Sequence, residues 1–392
     1  MYAQQFFRAL ALPSAIGLAA LLSACGGGGG ASAGSGTLQV SLTDAPSCGF
    51  DQVNVTVSKV RVHQSASATE TDTGWQDITL SPARKINLLT LTNGILQDLG
   101  KTTLPAGHYT QVRLVLDPNS STAPVANSVV AEGTMTEIAL VTPSAVQTGI
   151  KLNHEFDVAA DAQVDLVLDF DACKSIVSRG NGSYSLKPVI SVIPQITSGG
   201  ISGFLPAGLT RPVVSAQQNG VVVKSTTPDT SGSFNLSPLP ASSTGYVVVI
   251  AADGRTTAAI TGVPVTTGAT TPVSTSTAPI ILATSAMRTI SGIATPTTAQ
   301  ATVRATQAYA SGGPKVEVAF KAADLTSGAY AMSVPVAAPL LGKFGTLPIT
   351  LAADASLAGK YVLEASATGY ATQTFNADVG TADVTKDFAL VP

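Results

Sequence analysis

Short runs in which apolar and polar residues alternate one by one constrain this chain more than any other feature. "TLQVSLTDAP" places Leu38, Val40 and Leu42 on one side before Asp44-Ala45-Pro46 turns the chain. "LPAGHYTQVRLVLD" does the same with Val112, Leu114 and Leu116 after a Pro-Ala-Gly turn. A period of two belongs to a strand, and no apolar period of 3.6 persists for more than a few turns. Clusters of Gly, Pro, Asn and Asp separate the runs, so nearly everything after residue 36 reads as strands and turns of an all-β chain. In "QVNVTVSKVRVH" the apolar positions switch from Val53, Val55 and Val57 to Val60 and Val62. One residue of phase change predicts a bulge near Ser58-Lys59.

The first 36 residues obey no such pattern. Arg8 precedes "ALALPSAIGLAALLSA", an apolar run interrupted by Pro13 and Gly17 and ending in small residues, which is a signal-peptide layout. Leu22-Ser23-Ala24-Cys25 resembles the bacterial lipobox. That resemblance implies acylation of the Cys25 thiol and cleavage just before it, and several acyl chains on one residue anchor firmly. A plain secretory signal with an incidental cysteine is the alternative. Gly26, where an Asp would resemble the inner-membrane retention signal, favours the outer membrane and leaves open which face. From Gly26 to Gly36 the chain is Gly, Ala and Ser only, a flexible tether with an r.m.s. span of ~18 Å. Residues 1–24 are thus expected to be a signal peptide and 25–36 a lipidated cysteine with its tether.

An exported chain with three cysteines leaves one over unless it has another use. With Cys25 lipidated, Cys48 and Cys173 remain as a pair in a compartment where thiols oxidise. The bridge would close a loop of about 125 residues and contribute at most ~5 kcal/mol in the chain-entropy picture. Two buried free thiols are the alternative.

The string "LQVSLTDAP", "VNVTVSKVRV", "LPAGHYTQVRLVLD", "LVLDFDACKSIV" and "GSYSLKPVI" resembles the bacterial lipoprotein domain known only as domain-of-unknown-function family 4382. It covers about residues 37–196 and implies an envelope-exposed β domain with no activity to carry over.

After Pro194 the composition shifts to Ala, Thr, Ser, Val and Gly, and a repeat emerges. "ISG" at Ile201 returns at Ile290, "SGSFNLSPLP" at Ser231 returns as "SGAYAMSVP" at Ser327, and "GYVVVIAADG" at Gly245 returns as "GKYVLEASATGY" at Gly359. Gly328 to Gly359 is longer than Gly232 to Gly245, so the second copy carries an insertion. Each Gly should supply the positive φ of a turn, and the following aromatic should fill the core. The pattern resembles the carboxypeptidase regulatory-like (transthyretin-like) β-sandwich, over 197–283 and again over 289–392. The expected architecture is therefore tandem β-sandwich (prealbumin/Ig-like) domains behind the tether, and such folds serve many functions.

Chemistry is scarce. The chain has three histidines and lacks H-E-x-x-H and P-loop motifs. A net charge of −3 with only 11% charged residues makes nucleic acid a poor partner. His154 falls on the apolar face of "IKLNHEFDV" with Ile150, Leu152, Phe156 and Val158 and reads as a core histidine satisfied by backbone. His63 and His108 have no partner evident in sequence.

Carboxylates cluster once. If "IKLNHEFDV" and "QVDLVLDFD" pair as a hairpin about Asp161, Asp165, Asp169 and Asp171 project outward beside Glu155 and Asp157. Like charges across a strand pair repel and need solvent, lysines or a cation. The cluster is the candidate calcium site, the one cofactor the chain suggests; the other reading is a solvated acidic face with Lys151 near Asp171. Sugar binding needs an aromatic platform, and Trp75, the single tryptophan, is its candidate, with a half-buried edge tryptophan as the alternative.

These features point to a lipid-anchored, non-enzymatic binding or structural module of the cell envelope. Its partners would be the membrane, through the anchor, and an envelope or extracellular protein or glycan. A carbohydrate-binding protein and a carboxylate-dependent hydrolase are the alternatives.

Overall fold

A computed structural model describes residues 34–392 apart from 45–48, 121–123, 143–145, 147 and 310–311. The signal peptide, Cys25, most of the tether and Cys48 lie outside the described residues. Three hydrophobic clusters follow one another along the chain, each between two sheets, and we call the corresponding regions modules 1, 2 and 3.

Module 1 begins with β1 (Ser35–Asp44), β2 (Phe50–His63), β3 (Gln76–Asn87), β4 (Gln97–Pro105) and β5 (Gly107–Tyr109). It continues with β6 (Gln111–Leu116), β7 (Ser128–Ala131), β8 (Glu137–Val141), β9 (Ile150–Leu152), β10 (Phe156–Val158) and β11 (Gln163–Phe170). A single-turn helix α1 (Ala172–Ser175) then leads to β12 (Ile176–Ser178), β13 (Tyr184–Leu186) and β14 (Ile190–Pro194). One sheet has the order β14-β11-β1-β4; the facing sheet runs β12-β13-β8-β7-β2-β6-β9, with β3 also on β2. Leu38, Val40 and Leu42 are wholly buried between them, as are Val112, Leu114 and, all but completely, Leu116. β2 shifts register between Val57 and Lys59 against both β3 and β6, which is the bulge that the phase change in its sequence requires.

Module 2 comprises β15 (Ser198–Phe204), β16 (Val213–Gln218), β17 (Val221–Thr226), β18 (Ser233–Pro240), β19 (Ser242–Ala251), β20 (Ala258–Val265) and β21 (Thr270–Pro272). Module 3 comprises β22 (Met287–Thr295), β23 (Thr302–Ala308), β24 (Lys315–Ala322), β25 (Ala329–Pro335), β26 (Leu340–Lys343), β27 (Ala352–Ala353), β28 (Lys360–Ser366), β29 (Gln373–Asp378), β30 (Val384–Thr385) and β31 (Phe388–Ala389). The small sheets are β18-β15-β21 and β25-β22-β30, and the larger ones contain β17-β16-β19-β20 and β24-β23-β28-β29. Within these runs the two modules share strand order, and each has parallel pairing on its first strand (β21 on β15; β30 and, further along, β31 on β22).

Equivalent turns use equivalent chemistry. Gly232 and Gly328 both have positive φ, and a Cβ there would meet the Leu205 carbonyl oxygen at 2.0 Å and that of Ala294 at 2.4 Å. The aromatics that follow, Phe234 and Tyr330, are buried. Asp229 accepts from the Ser231 and Ser233 backbone N–H groups, and Asp324 from those of Thr326 and Ser327. Tyr246 donates its hydroxyl to the Pro240 carbonyl and Tyr361 to that of Pro335, each at the end of the preceding strand of the small sheet.

The insertion in module 3 does not stay in module 3. Its β26 pairs in parallel with β20 of module 2, and β27 pairs with β26, so the sheet becomes β17-β16-β19-β20-β26-β27. The Leu340 N–H donates to the Thr257 carbonyl and that of Phe344 to Thr261, while Thr256 donates to the Ala338 carbonyl. A long open strand edge is thereby covered and ends in a two-residue strand, one of the ways proteins protect sheet edges.

Candidate functional site

The hairpin expected about Asp161 does not form. Asp161 takes positive φ and its N–H donates to the Ser35 carbonyl, a turn that delivers the chain to a place beside β1. β11 then lies parallel to β1 and antiparallel to β14, while β9 pairs with β6 and β10 with β5. The candidate carboxylates are consequently dispersed. Glu155 and Asp157 are exposed, and both reach His108: Nδ1 lies 2.8 Å from Asp157 and Nε2 3.3 Å from Glu155. Asp165 accepts from Gln163 Nε2 at 2.6 Å and helps to line a cavity of about 100 Å³ with Gln39, Ser41 and Gln195. Among the described residues, no three or more His, Cys, Asp or Glu are grouped so as to hold a metal ion.

Asp169 does point away from the core of module 1, as alternation requires, but module 2 covers that face. Lys224 of β17 donates to Asp169 at 2.7 Å, and their side chains are 1% and 7% exposed. The cation that offsets this carboxylate is a lysine 55 residues away in sequence, and Lys151, an exposed residue on β9, takes no part. Asp171 caps α1 by accepting from the Lys174 N–H; burial pushes its carboxyl up, against the pull of the Lys174 ammonium 3.8 Å away.

From Lys174 an alternating series of charges enters module 3. Lys174 lies 3.5 Å from Glu317, Glu317 3.5 Å from Arg304, and Arg304 2.6 Å from Glu364, which also pairs with Lys315. Burial works to raise the Glu364 carboxyl, yet Lys315 and Arg304 hold it below its ordinary range. Module 2 is tied to the same place. Gln217 donates to the Glu317 carbonyl and accepts from the Glu317 N–H, both at 2.8 Å, and Arg304 donates to the Gly220 carbonyl.

Two turns add further contacts between the modules. The Asn93-Gly94 turn of module 1 meets module 2, where the Asn93 N–H donates to Thr226 and the Asn93 side chain accepts from the Asn235 N–H. Asp324 of module 3 accepts from the Ser178 hydroxyl at 2.6 Å and the Gly180 N–H at 2.7 Å in module 1. Burial opposes its ionisation, but these bonds and those of its own turn hold its carboxyl well below the usual range. Buried ionised groups of this kind need partners with good geometry, and for Asp169, Glu317 and Asp324 at least one partner comes from another module.

Sequence reading missed Lys224, Glu317 and Glu364, although each left a signal. "VVVKST", "VEVAF" and "YVLEAS" each place a charge between apolar residues of a strand. Such a charge is stable only when something remote pairs with it.

Trp75 is half-buried and already engaged. The Arg61 and Arg113 guanidiniums stack over its ring at 4.7 and 4.8 Å, the His63 ring lies 5.1 Å away, and its Nε1 donates to the Thr69 carbonyl. Arg113, only 2% exposed, also donates to the carbonyls of Ala68 and Thr148. The tryptophan closes the loop between β2 and β3 over these arginines, and does not lie open as a platform.

His154 is half-buried and stacks against Phe156, and burial lowers its pKa. Its Nε2 has no hydrogen-bond partner, so the backbone does not satisfy both nitrogens as expected. Cys173 lies in α1, half-buried and engaged, while Cys48 is outside the described residues.

Residues 35–188 match the family described as "Domain of unknown function (DUF4382)". No curated protein matches the chain. Among solved structures, the Bacillus anthracis TIE protein is similar at 11% identity over 91% of this chain and 50% of that one, with a TM-score of 0.17. The chain thus spans about half the length of that protein. A Streptococcal ancillary pilin is similar at 8% identity over 91% of this chain and 99% of the other, with a TM-score of 0.18. The Corynebacterium diphtheriae major pilin SpaA is similar at 12% identity, 91% and 99% coverage, and a TM-score of 0.17. None of these superpositions is close.

Proposed function

We propose that this chain, carrying a domain of a family without known activity, is a lipid-anchored protein of the bacterial outer membrane. In this reading its three sandwiches act as one non-enzymatic structural or binding body, held off the lipid by the tether. One observation carries it: two of the buried carboxylates, groups that a catalytic or metal site would need, are engaged in ion pairs between modules. Asp169 with Lys224 and Glu317 with Lys174 are joints. Modules 2 and 3 are read as carboxypeptidase regulatory-like repeats, on the strength of their shared strand order and their Gly-aromatic turns. The Cys48–Cys173 disulfide belongs to the same proposal, with Cys173 contributed by α1.

Cell fractionation tests the anchor. Cys25→Ser should move the protein from the membrane pellet to the soluble fraction, and mass spectrometry of the wild type should find acylated Cys25 as the first residue. An unmodified Cys25 at the mature N-terminus sinks the anchor. Non-reducing peptide mapping should recover Cys48 linked to Cys173, and labelling of both thiols in exported protein rejects the bridge. Calorimetry of the mature chain should show the modules unfolding in one transition; three separated transitions would reject the single body.

A further inference from the structure

β10 is a short strand held by one neighbour. It pairs with β5 alone, through Phe156 with Tyr109, Asp157 with His108 and Val158 with Gly107. Phe156 and Val158 are buried, which leaves Asp157 and His108 as an outward cross-strand pair. The turn after β10 wraps the start of β1. Asp161 donates its N–H to the Ser35 carbonyl, Thr37 donates to the Ala162 carbonyl, and a Cβ on Gly36 would meet the Ala159 and Ala162 oxygens at 2.6 Å. β10 and its turn thus seat the end of the Gly-Ala-Ser stretch.

The His108 ring bridges two carboxylates, with Nδ1 2.8 Å from Asp157 and Nε2 3.3 Å from Glu155. A carboxylate only accepts, so each ring nitrogen needs a proton to bond, and a neutral imidazole carries one. Both bonds exist together only in the imidazolium. His154, beside Glu155, has the opposite need. Its Nε2 is buried without a partner, and its ring stacks on Phe156, which stacks in turn on Tyr109 at 5.2 Å. A proton on that nitrogen would have no acceptor.

We infer that residues 153–158 form a proton-operated clasp, which His108 fastens as an imidazolium through Asp157 and Glu155 and which closes only while His154 is neutral. The surroundings leave the bridge to these groups. β1 carries no charge from Ser35 to Leu38, and the part of β4 paired with it, Thr102 to Pro105, carries none either. Tyr109 donates to the Pro105 carbonyl, and burial pushes its hydroxyl up, out of the range in which histidines titrate. His63 turns its ring to Thr73 and Trp75, and Asp161 is exposed in the turn beyond β10.

The two histidines give the clasp opposite limbs about their ordinary value of 6.5. When it is closed, Asp157 first and Glu155 after it hold His108 above that value against desolvation, and burial holds His154 below it. The His108 contribution is complete below 6.5 and is lost as pH rises through its raised value; that of His154 is complete above 6.5 and is lost as pH falls toward its lowered one. Closure is therefore strongest near pH 6.5 and weakens on both sides. Opening unseats residues 35–37 and lengthens the chain that leaves the sandwich. Only this last step, the reach of the body from the lipid, rests on the proposed anchor, and the test uses chain without lipid so that the two fail separately.

The test uses the full mature chain with Cys25→Ser. Imidazole ¹⁵N–¹H NMR should show His108 titrating above 6.5 with both nitrogens protonated in the acid form, and Asp157→Asn with Glu155→Gln should return it to about 6.5. Amide hydrogen exchange, corrected for the intrinsic effect of pH, should show protection of Phe156–Val158 and Ser35–Thr37 falling about two- to fivefold as pH rises through the His108 titration, as an exposed ion pair allows. The double variant should lose that dependence, and His154→Leu should remove the acid-side loss alone. Circular dichroism of each variant shows that it is folded. His108 titrating at or below 6.5, protection flat across its titration, a loss that spares Ser35–Thr37, or a dependence that survives in the double variant overturns the clasp.

Discussion

Modules 2 and 3 share one strand order and one set of turn residues, but their outer faces differ. Counting from the equivalent Tyr246 and Tyr361, module 3 has Glu364 where module 2 has Val249, and Arg304 where it has Ser215, because Ser215 pairs with Val249 and Arg304 with Glu364. Val249 and Ala259 are buried with Tyr309 and Val316, which makes an apolar seam between the two modules. Glu364 and Arg304 instead join an ionic network that extends through Glu317 to Lys174 of module 1. Inner faces thus set the sandwich, and outer faces set what each copy is joined to.

The largest expected effect comes from breaking a joint. Lys224→Met leaves Asp169 buried without its partner and should cost about 3–5 kcal/mol in urea unfolding. The double change Lys224→Met with Asp169→Leu should recover most of that loss. If the double variant is as unstable as the single one, the pair does not act as a joint.

Next come the equivalent turns. Gly232→Ala and Gly328→Ala each force a side chain into positive φ and against a carbonyl, at about 1–3 kcal/mol. Because the Leu205 oxygen would stand nearer than the Ala294 oxygen, thermal unfolding should show the larger loss for Gly232→Ala. The reverse order would break the equivalence of the two turns.

Smaller still are the paired tyrosines. Tyr246→Phe and Tyr361→Phe each delete one hydrogen bond to a proline carbonyl and should cost about 1 kcal/mol. Matching losses sharpen the comparison, and a loss confined to one module breaks it.

The smallest effect is a pH dependence that separates the turn aspartates. Both carboxyls are held below their ordinary value of 3.8. For Asp229 the Ser231 hydroxyl is the main cause; for Asp324, burial is outweighed by Ser178 and the Ser327 and Thr326 N–H groups. A carboxylate with lowered folded pKa stabilises the fold above its unfolded value and loses that contribution as pH falls through the folded one. Asp324→Asn should flatten the acid limb of stability below about pH 4 more than Asp229→Asn, since Asp324 also holds module 1. Equal acid limbs in the two variants would show that the contact with Ser178 and Gly180 adds nothing.

Much of the fold was legible in the residues. Alternation placed Leu38, Val40 and Leu42 in the core, the phase change in β2 located its bulge, and the repeated Ser-Gly-aromatic strings located two like turns. These are local properties of the backbone, with a period of two along a strand and positive φ at a glycine, and a short stretch of chain suffices to express them. The strand that accepts β11, and the residue that neutralises Asp169, are not local. Alternation turned Asp169 away from its own core correctly, yet whether that face meets water, an ion or Lys224 depends on a sandwich that begins almost thirty residues later. The same holds for Phe375, whose pattern says core and whose exposure is decided by the absence of a strand beside β29. Sequence by itself determined which face of each strand is apolar; only the tertiary structure decided what covers the other face, because pairing and desolvation depend on groups that the chain brings together from far apart.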